Sequence, residues 1–256
     1  MEYWNPVDFQ QSGRKFADGG GVDNLAITPL VQRGVRHIVC GVATVLAPDT
    51  NASHWAAAQW DVAGLFGAVP QDINQRGVVS GMPVTLFNDF MQIFPVDGYQ
   101  KLYAAMAKSY RAGRGSSYRA TYAVQSNAHK GVVGGWEVDV LWVFNNRLNS
   151  WERQLPAETR DMINANREGT AKGAQRKAEL KNFPYVSTFD ANYSPELVTL
   201  MSQLASWEIM ESKAVIAEMM GTPLPPPGIP IFTAARRAVQ RATDAVKAAV
   251  AGLKRP

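Results

Sequence analysis

Two acids bracket three glycines in the stretch Phe16-Ala17-Asp18-Gly19-Gly20-Gly21-Val22-Asp23-Asn24-Leu25. Glycine adopts positive φ without strain and lets another group come close to the backbone, so an acid placed just before it can be held at the rim of a cleft. The chemistry open to an acid held there is general-base proton abstraction. Gly19 and Gly20 would keep side chains out of the approach, while Asn24 and the helix after it fix the turn. Asp23 has the weaker claim, because an acid just before a helix also complements the positive N-terminal end of that helix. Taken alone, Asp-Gly-Gly is more often a solvated turn than a site.

The elements that would position this turn are legible around it. Arg14 to Ala17 reads as the end of a strand, and Ala26 to Arg33 as a short helix with Pro29 in its first turn and Gly34 as its stop. Val35 to Val45 is β-branched and nearly continuously apolar, which predicts a parallel strand covered on both faces. Strand, turn, helix and strand in this order make a βαβ unit, the building block of a doubly wound α/β sheet.

The ordered run from Asp18-Gly19-Gly20-Gly21-Val22-Asp23-Asn24-Leu25 through Pro29-Leu30 and Gln32-Arg33-Gly34-Val35 into an apolar strand resembles the aspartate segment of the patatin-like and cytosolic phospholipase A superfamily. A second stretch is similar to the closing region of its lysophospholipase-like members. It comprises Asn182 to Phe189, Asn192-Tyr193-Ser194-Pro195-Glu196-Leu197 and Leu204-Ala205-Ser206-Trp207. The resemblance implies a Ser-Asp dyad with Asp18 as its acid, Gly19, Gly20 and Asn24 shaping the active-site turn, a lipid or phospholipid substrate, and no cofactor or metal. It also implies a fold: part of a patatin-like three-layer α/β/α sheet domain, here with an added antiparallel strand pair and C-terminal helices.

The nucleophile of that family sits in a Gly-x-Ser-x-Gly elbow, and no serine here meets the pattern. Ser80 lies in Gly77-Val78-Val79-Ser80-Gly81, in the wrong frame, and Ser117 follows Gly115 but precedes Arg119. The glycine-rich oxyanion loop is absent as well. Both parts precede the aspartate segment in the family order, and only 17 residues precede Asp18. The expectation is therefore the C-terminal portion of a longer acyl hydrolase, inactive alone; the alternative is a non-catalytic lipid- or protein-binding relative with a basic tail. A triad built on His37, His54 or His129 is disfavoured, since His37 falls inside the expected buried strand and nothing pairs the others with a serine.

The remaining elements are those of an ordinary α/β chain. Ser53 is placed to cap a helix through Trp55, Trp60, Val62 and Phe66, whose tryptophans suit a core, and a second helix runs from Asp97 to Tyr110, ended by Gly113. Residues 113–117 are basic and Gly-rich but lack the Gly-Lys-Ser/Thr ending of a phosphate loop, so they read as solvated. Tyr118 to Gln125 and Trp136 to Asn145 make an antiparallel pair with Glu137 and Asp139 on a water-facing edge. Pro156 to Asn166 reads as helix, 168–181 as exposed and mobile, and the stretch from Ser194 as a helix presenting Leu197, Leu200, Met201, Leu204, Trp207 and Ile209.

Composition sets the outer bounds. The 256 residues are 46% hydrophobic and 19% charged, as in a globular protein, with one α/β domain at 1–221. Residues 222–230 form a Pro-rich linker and 231–256 a basic helical tail carrying Phe232, Ala235, Val239, Ala242, Val246, Ala249 and Leu253 on one stripe. The tail holds six basic residues against the single acid Asp244, a net +5 that exceeds the +4 of the whole chain and leaves the body at −1. That distribution argues against a nucleic-acid-binding body, and the tail has two readings, docking on the body or weak, charge-driven adsorption to anionic lipid. Cys40 is the only cysteine and lies in an apolar run, as a buried structural thiol would. No secretory signal or membrane span is visible in the sequence, so a cytoplasmic location is expected.

Overall fold

The computed structural model describes residues 2–4, 11–13, 23–48, 51–72, 77–79, 81–173, 177–187 and 193–221. The expected strand at 14–17, the linker at 222–230 and the tail at 231–256 lie outside them. The chain is mixed α/β. It begins with a short antiparallel pair, β1 (Glu2–Trp4) and β2 (Gln11–Gly13), and continues with helix α1 (Ile27–Gln32) leading into β3 (His37–Val42). Helix α1 stops at Gly34 as expected. Gly34, at φ 71°, donates to the Val31 carbonyl and Val35 donates to that of Leu30, which satisfies two orphan carbonyls of the last turn.

The main sheet has the order β3-β7-β6, with β6 at Ser116–Val124 and β7 at Trp136–Phe144. Strand β7 runs parallel to β3, from His37 opposite Asp139 to Val42 opposite Phe144, and antiparallel to β6, from Ser116 opposite Phe144 to Val124 opposite Trp136. The antiparallel pair legible in the sequence is thus built into the same sheet as the parallel strand, and β7 is its centre. The expected solvated loop at 113–117 also gives way to strand, because Ser116 and Ser117 already pair with β7.

One face of the sheet carries the larger core. Four helices pack there: α2 (Ala52–Ala58), α3 (Trp60–Gly64), α4 (Val84–Met91) and α5 (Asp97–Arg111), with the small hairpin β4 (Val78–Val79) and β5 (Met82–Pro83) alongside α4. Asn51, rather than Ser53, caps α2. Its extended backbone lets Oδ1 accept from the His54 amide at 2.7 Å, whereas Ser53 already sits inside the first turn. Phe66 stands among the rings of Phe94, Tyr99, Tyr122 and Trp142, with centroids 5.2 to 6.1 Å away. Gly98 of α5 is there for contact: a Cβ would come within 2.8 Å of the Phe66 ring and 2.9 Å of the Tyr122 ring.

The opposite face is covered only in part. Helix α9 (Lys213–Met219) lays Val215, Ile216 and Met219 on Leu141 and Val143 of β7, while Val39 of β3 remains 43% exposed. Strand β3 therefore alternates, with Ile38, Cys40 and Val42 buried, and the expectation of burial on both faces does not hold. An apolar run shows that one face is buried; what lies over the other face is decided by distant chain.

A second core follows β7. Helices α6 (Asn149–Glu152), α7 (Ala157–Arg167) and α8 (Pro195–Glu211) enclose Leu148, Trp151, Ile163, Leu180, Phe183, Leu197, Leu200 and Leu204. The Ser194 hydroxyl caps α8 by accepting from the Leu197 amide, with Pro195 in the first turn, as the sequence predicts. Leu180, in the stretch read as exposed, is fully buried in a short 3₁₀ turn, Ala178–Leu180.

Because Phe66 joins the helices to the sheet through four aromatic neighbours, Phe66→Ala is expected to lower unfolding free energy by about 3–5 kcal/mol, measured by urea denaturation.

Candidate functional site

Asp18, Gly19 and Gly20 lie outside the described residues; of the four residues assigned to the turn, Asn24 is described. It is exposed, and its side-chain amide donates to Asp61 Oδ2 of α3 at 3.2 Å. Asp23 next to it is half-buried, and its Oδ2 accepts from the Thr28 amide at 3.1 Å. That bond supplies a free N–H at the start of α1 with an anionic acceptor, the helix-capping role set against catalysis for this acid. The chain enters α1 through Ala26 at φ 55°, an uncommon conformation for a residue with a Cβ, so the turn is held by its surroundings rather than by local preference.

Cys40 lies near Asp23 and Asp61. Burial, followed by the nearby carboxylates of Asp61 and Asp23, pushes its thiol up to about 12, so it stays protonated at neutral pH and serves packing rather than nucleophilic attack. Lys130, from the β6–β7 connection, is buried close by, with Nζ 4.3 Å from the centroid of the Phe90 ring. Burial lowers its pKa, and Asp23 acts in the opposite direction. The connection is fastened to α1 by the Gln32 side chain, which donates to the Lys130 carbonyl. It is fastened to the end of α4 by Asn127, whose amide donates to the carbonyls of Asp89, Phe90 and Gln92.

His37 is 54% exposed rather than embedded, with Nδ1 3.5 Å from Asp139 Oδ2. Asp139 is buried, not on a water-facing edge, because β7 is central. Arg119 Nε donates to both of its oxygens at 2.9 and 3.0 Å, Nη2 adds a bond at 2.7 Å, and Nη1 reaches Glu218 of α9 at 2.8 Å. Glu137, the other acid of the pair, is exposed. His129 packs against Phe90 at 5.9 Å between ring centroids, and the His54 amide is used in the cap of α2.

A buried polar junction, absent from the sequence reading, lies beyond the carboxyl ends of the two parallel strands. Thr44 after β3 donates its amide to Asn145 Oδ1 after β7, and the Gln59 side chain donates to Thr44 Oγ1 at 2.7 Å. Asn145 Nδ2 donates to the Pro184 carbonyl at 2.7 Å, and the Tyr185 hydroxyl donates to Asn146 Oδ1. The second stretch of family resemblance is thereby tied to the end of β7. The Asn146 amide in turn donates to Glu208 Oε1 of α8 at 2.9 Å.

Glu208 is only 4% exposed, and burial raises its pKa to about 8. The Asn146 amide opposes that rise and the neighbouring Glu211 carboxylate adds to it. At neutral pH the carboxyl is therefore largely protonated. Its place on the buried stripe of Leu197, Leu200 and Leu204 was readable from helical spacing, which selects position 208 over the exposed Ile209.

Among the described residues no three His, Cys, Asp or Glu side chains come together in a way that could hold a metal ion, and no helix is long and apolar enough to cross a membrane. Comparison of the chain with protein-family models, curated proteins and solved structures found no match.

Glu208 gives a signed expectation for pH. A carboxyl with a raised folded pKa adds stability that is fully present below its ordinary 4.5 and is lost as pH rises through about 8. Glu208→Gln should therefore gain stability relative to the parent chain as pH rises over that window and hold the gain above it, measured by denaturant unfolding at pH 4, 6, 8 and 9.

Proposed function

We propose that the chain is the aspartate-bearing part of a patatin-like serine lipid acyl hydrolase, with Asp18 as the base of a Ser-Asp dyad. The observation that carries this reading is the use of the neighbouring acid. Asp23 is spent on the Thr28 amide at the start of α1, so the resemblance assigns the chemistry to Asp18, five residues earlier. The passage from the capped helix α1 through Gly34 into β3, parallel to β7, has the order that this family requires of its aspartate segment.

The serine and its oxyanion donors come from outside these 256 residues, since no serine in them has a Gly-x-Ser-x-Gly setting. In the assembled enzyme the serine hydroxyl attacks the ester carbonyl as its proton passes to the Asp18 carboxylate; the tetrahedral intermediate then collapses with cleavage of the ester C–O bond, and the departing alkoxide takes that proton from Asp18 and leaves as the alcohol. The acyl-enzyme is then hydrolysed by water, activated by the same acid. Gly19 and Gly20 keep the approach open, and Asn24, held by Asp61, anchors the far side of the turn. The substrate is a lipid or phospholipid ester, and the tail at 231–256 brings the enzyme to its anionic surface through net positive charge.

In the enzyme completed with its nucleophile segment, Asp18→Asn should reduce hydrolysis of a chromogenic acyl ester at least about a hundredfold, the lower range for losing a general base. Undiminished turnover in that variant would refute the dyad. Removing residues 231–256 should abolish co-sedimentation with anionic vesicles, and unchanged binding would remove the tail from the mechanism.

A further inference from the structure

We propose that the cavity between the end of α5 and the connection from β7 to α6 binds a small anion carrying a phosphate group. This site goes beyond the acyl-hydrolase reading and stands without it. It is an open pocket of about 340 Å³ lined by Tyr110, Arg111, Gly113, Arg147 and Asn149. It lies where Ser116 of β6 pairs with Phe144 of β7, at the carboxyl edge of the parallel strands, the edge at which open α/β sheets bind their ligands.

The charge on its walls is one-sided: two guanidinium groups from separate elements face one space, and no carboxylate lines it. Arg147 Nε lies 3.5 Å from Glu152 Oε1, but Glu152 is already matched by Arg167, whose Nη1 and Nη2 donate to its two oxygens at 2.9 and 2.6 Å. One carboxylate thus serves two arginines and leaves positive charge over. Among the described residues no acid lies in salt-bridge range of Arg111. The neighbouring Glu211, outside the lining, accepts from Ser150 Oγ at 3.2 Å and Trp207 Nε1 at 2.9 Å through Oε1 alone; its Oε2 lies against Gly115 and opposes an anion, which the two guanidinium groups together must outweigh.

The floor is shaped for close approach. The Asn149 side-chain amide packs directly on Gly113, where a Cβ would meet its nitrogen at 2.2 Å. The Asn149 backbone amide also donates to the Gly113 carbonyl at 3.3 Å. Paired guanidinium groups favour a dianionic phosphate over a monovalent anion, because each can donate two parallel N–H bonds to phosphate oxygens. The negative end of the α5 helix dipole lies nearby and works against an anion, so the site depends on both arginines together.

The test is calorimetric titration of the full chain with inorganic pyrophosphate at fixed ionic strength. Saturable one-site binding is expected, weakened about tenfold by Arg111→Gln or by Arg147→Gln, the loss of one charged hydrogen bond, and abolished in the double variant. Arg33→Gln, an exposed cation at the other edge of the sheet, should bind as the parent does. Competition of the pyrophosphate titration by monomeric short-chain phosphatidic acid, which presents no vesicle surface to the tail, identifies the source of the phosphate. Displacement assigns a lipid headgroup, and arginine-dependent pyrophosphate binding that the short-chain lipid leaves unchanged assigns a free phosphate. The proposal is overturned if pyrophosphate binding does not depend on the two arginines. All three residues are exposed, so the variants should keep the parent's circular dichroism and urea midpoint.

Discussion

Strand β7 places a carboxylate, Asp139, under the covered part of the sheet, and an unpaired charge there would carry a desolvation cost of several kcal/mol. Arg119 meets it from β6 with a two-pronged set of hydrogen bonds and extends the same guanidinium to Glu218 of α9. The pairing has a geometric consequence. Asp139 and Arg119 point to the same face as Leu141 and Val143, so the charge sits beside the apolar surface that α9 covers, and one cation joins two strands and a helix. On the other face of β7, Val138, Val140, Trp142 and Phe144 enter the larger core. Strand β7 is thus buried on both faces and, paired with β3 on one side and β6 on the other, is the centre of the sheet.

The two cores meet where the parallel strands end. Apolar packing does not join them there; Thr44, Gln59, Asn145, Asn146 and Glu208 do, all buried and linked in a run of hydrogen bonds. Such a run requires every member to be satisfied, since a half-satisfied polar network is worse than an apolar contact. It also brings the second stretch of resemblance, through Pro184 and Tyr185, to the end of β7. The Arg111 and Arg147 cavity opens on the same edge, so polar chemistry is concentrated there while the opposite edge holds Lys130 and its connection.

Much of this was legible in the chain, for reasons that are local. The stop of α1 at Gly34, the cap of α8 at Ser194 and the antiparallel partnership of β6 and β7 depend on residues within a turn or a hairpin of each other. Asp23 takes the capping role weighed for it, while the acid and the glycines before it lie outside the described residues. His37 and Asp139 were misjudged because each depends on partners roughly a hundred residues or one whole strand away. The α2 cap was misplaced because Asn51 and Ser53 are equally suitable by residue type, and only backbone conformation distinguishes them.

By itself the sequence determined the helix stopped at Gly34, the helix from Asp97, the helix from Pro156, the Ser194-capped helix, the division of β7 into two faces and the buried thiol at Cys40, since each rests on short-range spacing and side-chain type. Tertiary structure alone decided that β7 is the central strand, that β3 keeps one face toward solvent, that Glu208 is held protonated against Asn146, and that Arg111 and Arg147 share a cavity. The physical reason is common to all four. Burial and charge depend on what the fold packs against a residue, and in each case the deciding neighbours come from distant parts of the chain.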